Sequence, residues 1–175
     1  RDVPQEFVGD EAHRGDMVWS AAVPEELRSR ATAVIGNFPV SQASQYTRLE
    51  WLQTFSAGVD AYICPGVLPR GTMVTNASGA YGQSVSEHMF ATMWALMKNL
   101  NRYASNQRDH QWQDEGPVLS PEGGIALIIG VGDIGSHFAQ LAQSVGMRTF
   151  GVRRHADVPA KGIEKMYGFE RLETL

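Results

Sequence analysis

A glycine motif lies between two apolar runs within residues 125–154, and it limits the folds that this sequence can adopt. The first run, IALII, leads directly into Gly130-x-Gly132-x-x-Gly135. A helical pattern follows and stops at Gly146, and the second run, MRTFGV, comes next. Strand, glycine turn, helix and strand in this order predict a βαβ unit that holds a dinucleotide.

Each glycine of the motif has a distinct physical role. Gly130 allows a sharp turn out of the strand, Gly132 lets the pyrophosphate approach the backbone, and Gly135 lets the helix pack closely on the strand. The predicted helix, from about Asp133 to Val145, would direct its free N–H groups and positive dipole end at the phosphates. The alternative is a tight strand-to-helix turn without a ligand.

The end of the second run indicates which dinucleotide is bound. An acidic residue at this position would accept hydrogen bonds from a free ribose 2′-hydroxyl. This chain instead has Arg153 and Arg154, and no carboxylate before Asp157. Guanidinium groups suit a 2′-phosphate, which favours NADPH over NADH. The alternative is that one or both arginines are solvated charges at a strand end.

Composition favours a globular enzyme segment and excludes several other classes. The 175 residues suffice for one domain or parts of two, and 43% are hydrophobic, which supplies a core. A net charge of −4 argues against a nucleic-acid or membrane partner. The single cysteine, Cys64, excludes an internal disulfide, so we expect a cytoplasmic protein. No Cys/His cluster has metal-ligand spacing, so we expect no metal.

The first half of the chain alternates short helical and apolar segments. Strands are predicted at 16–20, 32–36, 49–55 and 73–75, with a brief helix opened by Pro24. This alternation predicts a parallel sheet. Ser56-Ala57-Gly58 follows the third of these strands, where ligands of parallel sheets bind, so its backbone N–H groups are placed to meet an anion. An ordinary turn is the alternative.

The turn-rich segment 76–79 predicts a domain boundary, and a long helix follows it. Ser84 and Glu87 have capping-box spacing at its start, and the helix is expected to extend over about 84–104. It is apolar on two sides, which predicts burial against its own domain and against a second subunit or domain, and this favours an oligomer. The polar segment 107–121 is predicted to be a loop, with Trp112 as an anchor.

Three segments together resemble the D-isomer-specific 2-hydroxyacid dehydrogenase family. LEWLQTFSAGVD resembles the family's carboxylate-binding loop, and VTNASGAYGQSVSEHMFATMWALMKNLNRY its interdomain joint and dimer helix. IALIIGVGDIGSHFAQLAQSVGMRTFGVRR resembles its cofactor motif. The resemblance implies an α/β protein with two doubly wound parallel-sheet domains, both incomplete here. These would be a flavodoxin-like substrate domain over 1–78, without its N-terminal strand, and a Rossmann cofactor domain over 79–175, without its C-terminal half.

The resemblance also implies an activity and a set of site residues. A small 2-oxo acid would be reduced to a D-2-hydroxy acid by NAD(P)H, in a cytoplasmic homodimer. The substrate carboxylate would be held by Ser56, Ala57 and Gly58. The pyrophosphate would be surrounded by Gly130, Gly132, Asp133, Ile134 and Gly135, with the Asp133 side chain turned to solvent. The 2′-phosphate would be bound by Arg153 and Arg154.

The reduction also needs a general acid and a cation that polarises the carbonyl. In the family these are a histidine, oriented by a glutamate, and an arginine, all C-terminal to the matched segments. Glu87 and His88 are adjacent on a helix and point about 100° apart, so they do not form such a pair. We therefore expect no catalytic residue within 1–175, and an active protein that is longer than this chain at both ends.

Two other interpretations remain open. The chain could be a catalytically silent NAD(P)-sensing or interaction protein of the same fold; a stop codon after Leu175 in the parent gene would favour that interpretation. A different Rossmann enzyme, such as a hydrolase with bound NAD, would not account for the SAGVD loop before the long helix.

Overall fold

The computed structural model describes residues 23–175, and the predicted strand at 16–20 lies outside them. The chain divides into two compact units, one ending at Ser78 and the other beginning at Gly79. Each unit contains one three-stranded sheet, and all strand pairs in both sheets are parallel. The parallel α/β class predicted from the alternating segments is therefore confirmed.

The sheet of the first unit consists of β1 (Ala33–Ile35), β2 (Trp51–Gln53) and β3 (Met73–Thr75), in that order. Two short helices, α1 (Glu25–Arg28) and α2 (Asp60–Ile63), accompany it, together with a 3₁₀ helix over Val40–Gln45. All three strands were predicted, although β1 and β2 are shorter than their apolar runs. Because the three strands are parallel, the loops that follow them lie at the same edge of the sheet. β2 is the central strand, so the loop after it lies between the other two.

Aromatic packing forms the core of the first unit. The Phe38 and Tyr46 rings stack with centroids 4.3 Å apart, and Tyr62 meets Phe38 edge-on at 5.3 Å. The Tyr62 hydroxyl donates to the Phe38 carbonyl at 2.6 Å and accepts from the Phe38 N–H at 3.0 Å. Leu52 of β2 is fully buried in the same cluster. This core fixes the segment after β1 against the helix after β2.

The sheet of the second unit follows the predicted βαβ pattern closely. It consists of β4 (Ile125–Ile129), β5 (Arg148–Val152) and β6 (Lys165–Tyr167), with α5 (Asp133–Ser144) between β4 and β5. This sequential parallel order is that of one half of a doubly wound sheet. A 3₁₀ helix over Phe169–Thr174 follows β6.

Small residues on one face of α5 allow the helix to lie close to the sheet. Gly135, Ala139 and Ala142 are buried and spaced for a single helical face. On β4, Ala126 and Ile128 are buried beneath the helix, whereas the alternate positions of the strand are exposed. Within residues 23–175, α5 therefore covers one face of this sheet, and the other face of β4 is exposed.

The long helix predicted over about 84–104 is in fact two helices. These are α3 (Gly82–Met97) and α4 (Leu100–Arg108), separated at Asn99, which adopts a left-handed φ of 52°. Asparagine is one of the few residues that tolerate this conformation, and it ends the first helix.

The capping-box prediction for the start of this helix is wrong. Ser84 lies inside the first turn of α3, whose N-cap is Tyr81. The carboxylate of Asp133 packs against Gly82, so closely that a Cβ at Gly82 would lie 2.5 Å from it. A tertiary carboxylate thus meets the positive end of the α3 dipole, and a local capping residue is not required.

The segment between α4 and β4 contains no helix or strand, as predicted for a loop. Trp112 is fully exposed there, so the prediction that it anchors the loop is wrong. The loop is held instead through Glu115, whose carboxylate accepts from Asn106 at 2.6 Å and lies 3.7 Å from Arg102. Within residues 23–175, no helix combines the length and apolarity needed to cross a membrane.

Candidate functional site

The glycine motif forms a tight loop between β4 and α5. Gly130 has a φ of +94°, which favours glycine, and produces the predicted turn out of the strand. Gly132 is exposed, and apart from its two chain neighbours no described residue has a heavy atom within 4 Å of the position that a Cβ would take. The first turn of α5 leaves the N–H groups of Asp133, Ile134 and Gly135 without intrahelical acceptors. The loop therefore offers open space beside a set of unused donors.

Gly135 makes the close helix packing possible. A Cβ at this position would lie 2.4 Å from the carbonyl oxygen of Gly130 and 3.2 Å from Cγ2 of Ile128. Real Cβ atoms do not approach a carbonyl oxygen so closely, so any larger residue would push α5 away from the loop. Glycine here keeps the helix N-terminus at the end of β4.

A cavity of about 460 Å³ opens beside this loop. Its walls come from the first turns of α5 and from the connection between β5 and β6, and they include Gly132, Ser136, His137, Gln140, Arg153 and Lys161. The volume lies within the range of about 300–1,000 Å³ that small-molecule sites occupy. Open backbone at Gly132, the adjacent N-terminus of α5 and two cationic side chains suit a phosphate-bearing group such as a dinucleotide, and the Asp133 carboxylate of the same wall is directed toward His137.

The two arginines after β5 have different surroundings, although the sequence alone predicts the same role for both. Arg153 is half-buried, with Nε donating to the His155 carbonyl at 2.9 Å and Nη1 to the Val131 carbonyl at 3.3 Å. Its Nη2 donates to the Val158 carbonyl. Arg154 is exposed, has no hydrogen-bond acceptor among the described residues, and does not line the cavity. Three of the five N–H groups of Arg153 are thus committed to the protein backbone.

Asp133 has a more defined environment than the solvent-facing position expected for it. Its carboxylate lies against Gly82, as described above, and 3.4 Å from Nδ1 of His137, one helical turn later. The same His137 nitrogen lies 2.9 Å from the Asp133 carbonyl oxygen. The Asp133 side chain is 39% exposed, which agrees with the expected solvent-facing position, and it also has these two close neighbours. Its charge is directed to α3 and His137.

The predicted anion-binding loop, Ser56–Gly58, follows β2 in the first unit. The backbone N–H groups of Ser56, Ala57 and Gly58 have no acceptor among residues 23–175. Nδ2 of Asn37 donates to Oγ of Ser56 at 3.3 Å, and Nδ2 of Asn76 donates to the Ala57 carbonyl at 2.7 Å. Three consecutive free donors, held from both sides, form a backbone site suited to an anion.

Sequence reasoning missed Asn37, Asn76 and Lys161. Each asparagine lies one or two residues beyond the carboxyl end of a strand that flanks β2, which is a signal that the sequence does contain. Lys161 gives no such signal, because its position depends on how the β5–β6 connection folds back onto α5. Among residues 23–175, no group of three or more His, Cys, Asp or Glu side chains is arranged to hold a metal ion.

Comparison with known proteins gives a consistent set of relatives. Residues 90–175 match the family model of the D-isomer specific 2-hydroxyacid dehydrogenase NAD binding domain. The D-3-phosphoglycerate dehydrogenase of Bacillus subtilis (strain 168) is 30% identical over 105 residues, which are 59% of this chain and 20% of that protein. The glycerate dehydrogenase of Methylorubrum extorquens is 24% identical over 135 residues, 72% of this chain and 43% of that protein.

A solved structure extends the similarity to the fold of both units. The crystal structure of a D-isomer specific 2-hydroxyacid dehydrogenase family protein from Aeromonas salmonicida subsp. salmonicida A449 matches with a TM-score of 0.76 and 28% sequence identity. The match covers 86% of this chain and 48% of that chain. The chain thus spans less than half the length of each of these three relatives.

Proposed function

Because the chain belongs to the D-isomer specific 2-hydroxyacid dehydrogenase family through its NAD-binding domain, we propose that the whole protein reduces a 2-oxo acid to a D-2-hydroxy acid with NAD(P)H. The observation that carries the proposal is the pair of donor-rich loops at the carboxyl ends of parallel strands. The glycine loop suits a pyrophosphate, and Ser56–Gly58 suits a carboxylate. A 2-oxo acid and a dinucleotide together require both kinds of site.

The first unit would act as the substrate domain, with 1–78 as its extent. Its contribution is to hold the substrate carboxylate on the N–H groups of Ser56, Ala57 and Gly58, so that the neighbouring carbonyl has a fixed orientation. Asn37 and Asn76 support this role because their amide groups hold the loop in shape without using its three N–H donors.

The second unit, 79–175, would act as the cofactor domain. Its contribution is to hold the pyrophosphate on the Gly130–Gly135 loop and the first turn of α5, which have open space and free N–H groups. When bound, the reduced nicotinamide would supply a hydride to the carbonyl carbon of the substrate. We assign the general acid and the carbonyl-polarising cation to no residue within 23–175.

We further propose that the cofactor is NADPH rather than NADH. No carboxylate occupies the two positions after β5, where an acid would accept hydrogen bonds from the ribose 2′-hydroxyl. The β5–β6 connection carries three cations, Arg153, Arg154 and Lys161. The first carboxylate after the two arginines is Asp157. A 2′-phosphate gains from that charge, whereas a hydroxyl does not.

We also propose that the protein is a cytoplasmic homodimer. One side of α3 packs inside the second unit, where Phe90 meets the Phe138 ring edge-on at 6.4 Å. The other side leaves Val85, Met89 and Leu96 exposed, with Leu96 exposed to 66%. A helix with a second apolar side is stabilised when a partner covers it. Size-exclusion chromatography with light scattering at several concentrations measures the subunit number.

The test of the activity is a substrate panel on the full-length protein. Glyoxylate, hydroxypyruvate, pyruvate and longer 2-oxo acids are offered with NADPH or NADH, and the loss of nicotinamide absorbance gives the rates. We expect turnover with at least one acid, a D-configured product where the product is chiral, and a higher kcat/KM with NADPH. Cofactor binding with no turnover of any acid would instead favour the NAD(P)-sensing protein, and an L-configured product would refute the assignment.

A further inference from the structure

The connection between β5 and β6, residues 153–164, is fixed to the rest of the second unit at both ends. At its start, the Arg153 guanidinium bridges the Val131 carbonyl of the glycine loop and the carbonyls of His155 and Val158 in the connection itself. Three hydrogen bonds from one rigid, planar group hold these two segments at a defined separation. Movement of this end of the connection would therefore move the glycine loop.

The other end is fixed at Gly162. A Cβ here would lie 2.6 Å from the backbone nitrogen of Gln140 in α5, and the φ of +75° also favours glycine. The Gly162 carbonyl accepts a hydrogen bond from Oγ1 of Thr149 in β5 at 2.6 Å. Backbone contact with the helix on one side and a hydrogen bond to the sheet on the other leave little freedom at this position.

Lys161 lies directly before this fixed point and lines the cavity beside the glycine loop. Its ammonium group has no acceptor among residues 23–175, and the side chain is exposed. The other cation of the cavity wall, Arg153, has most of its donors engaged. Asp133, a carboxylate of that wall, is directed toward His137. Arg153 keeps its positive charge, but Lys161 is the lysine or arginine of the cavity wall whose side-chain donors all lack acceptors among residues 23–175.

We propose that Lys161 determines the cofactor preference by binding the 2′-phosphate of NADPH, and that Arg153 is a positioning residue that aligns the glycine loop. The inference rests on the proposed NADPH-dependent reduction and specifies its cofactor site. A lysine ammonium supplies three donors and a full charge to a phosphate dianion, and it gains little from a ribose hydroxyl. Removing it should act on NADPH alone, whereas disturbing Arg153 should affect both cofactors.

The test compares Lys161→Gln, Lys161→Arg and Arg154→Gln in the full-length protein. For Lys161→Gln we expect the KM for NADPH to rise about tenfold, with the KM for NADH changed less than about twofold. Lys161→Arg should restore most of the NADPH preference, because it restores the charge. Arg154→Gln tests the competing assignment of the 2′-phosphate to Arg154, which carries an equal charge nearby but does not line the cavity, and we expect its cofactor ratio to change less than that of Lys161→Gln. Binding of 2′,5′-ADP, measured by calorimetry, should follow the same order.

Arg153→Lys tests the positioning role. It keeps the charge but loses the planar fork, so we expect the KM values for NADPH and NADH to rise by similar factors while their ratio is kept. A wild-type protein that prefers NADH would overturn both the cofactor proposal and this inference. A wild-type protein that prefers NADPH, with the preference lost in Arg154→Gln and kept in Lys161→Gln, would overturn this inference alone.

Discussion

Replacement of Gly135 by alanine tests whether close packing of α5 on the glycine loop stabilises the second unit. The added Cβ would lie 2.4 Å from the Gly130 carbonyl oxygen, a backbone atom that cannot rotate away as a side chain can. The two atoms must separate by at least 0.6 Å to reach 3.0 Å, the shortest separation that real Cβ atoms show (3.0 minus 2.4 Å). That shift also strains the hydrogen bond, 3.1 Å long, that the Gly132 N–H donates to the same oxygen.

The expected magnitude follows from two opposing effects. Overpacking against a fixed group costs about 3 kcal/mol, at the upper end of the usual range. Alanine inside a helix returns about 1 kcal/mol relative to glycine. The net loss of stability is therefore about 2 kcal/mol, which lowers the melting temperature by roughly 4–8 °C for a chain of 150–250 residues.

Gly132→Ala is the matched control, because its Cβ would enter open space. We expect its melting temperature to stay within about 1 °C of the wild-type value, since no overpacking occurs. Its affinity for NADPH should fall at least about tenfold, because the methyl group occupies the approach of the pyrophosphate. Differential scanning fluorimetry and cofactor titration measure the two effects. Equal melting temperatures for the two variants would refute the packing argument.

Three further perturbations have expected outcomes. Tyr62→Phe removes a hydroxyl that serves both backbone groups of a buried neighbour, so unfolding by urea should show a loss of about 1–3 kcal/mol. Tyr46→Phe, its control, removes a buried hydroxyl without a hydrogen-bond partner among the described residues and should be neutral or stabilising; an equal loss in both would contradict the hydrogen-bond argument. Asn76→Ala should raise the KM for the 2-oxo acid roughly tenfold with little change in the KM for NADPH, and steady-state kinetics showing no change would remove its role in holding the Ser56–Gly58 loop. The hydrogen bond from Arg148 lowers the pKa of Glu164 below its ordinary value of 4.5, so the stability that this pair contributes is present above that pH and lost as the pH falls through the folded-state pKa. The melting-temperature difference between wild type and Glu164→Gln should therefore be largest at neutral pH and shrink as the solution is acidified; a difference that does not depend on pH would contradict the argument.

The βαβ unit could be predicted almost residue by residue because its determinants are local. The predicted helix, Asp133 to about Val145, agrees with α5 at Asp133–Ser144, and β4 has the predicted bounds. An apolar run, a glycine at positive φ and a helical apolar face are each complete within a few residues. Each of these signals determines the local structure of its own segment, so it can be read from the sequence without knowledge of the tertiary fold.

The long helix shows where local reasoning fails. Apolar residues recur at helical spacing on both sides of residues 98–99. The pattern therefore gives no sign of the left-handed turn at Asn99. At the start of this helix, Gly82 packs against the carboxylate of Asp133, which lies 51 positions later in the chain and meets it only in the folded unit. A carboxylate near a helix N-terminus stabilises the helix whether it comes from a neighbouring residue or from another helix. A search for local capping residues in the sequence therefore misses a carboxylate from another helix.

The parallel α/β class, the glycine loop and the cations of the connection after β5 can all be predicted from the sequence, because periodicity, backbone freedom and side-chain charge belong to individual segments. Which of those cations lines the cavity beside the glycine loop depends on the tertiary structure. Arg153 and Lys161 are eight positions apart, and their surroundings differ: backbone carbonyls accept hydrogen bonds from Arg153, whereas Lys161 has no acceptor among residues 23–175 and lies next to a fixed point beside α5. A side-chain donor can bind a ligand only when it has no acceptor within the protein. The packing of the chain determines which donors have such an acceptor.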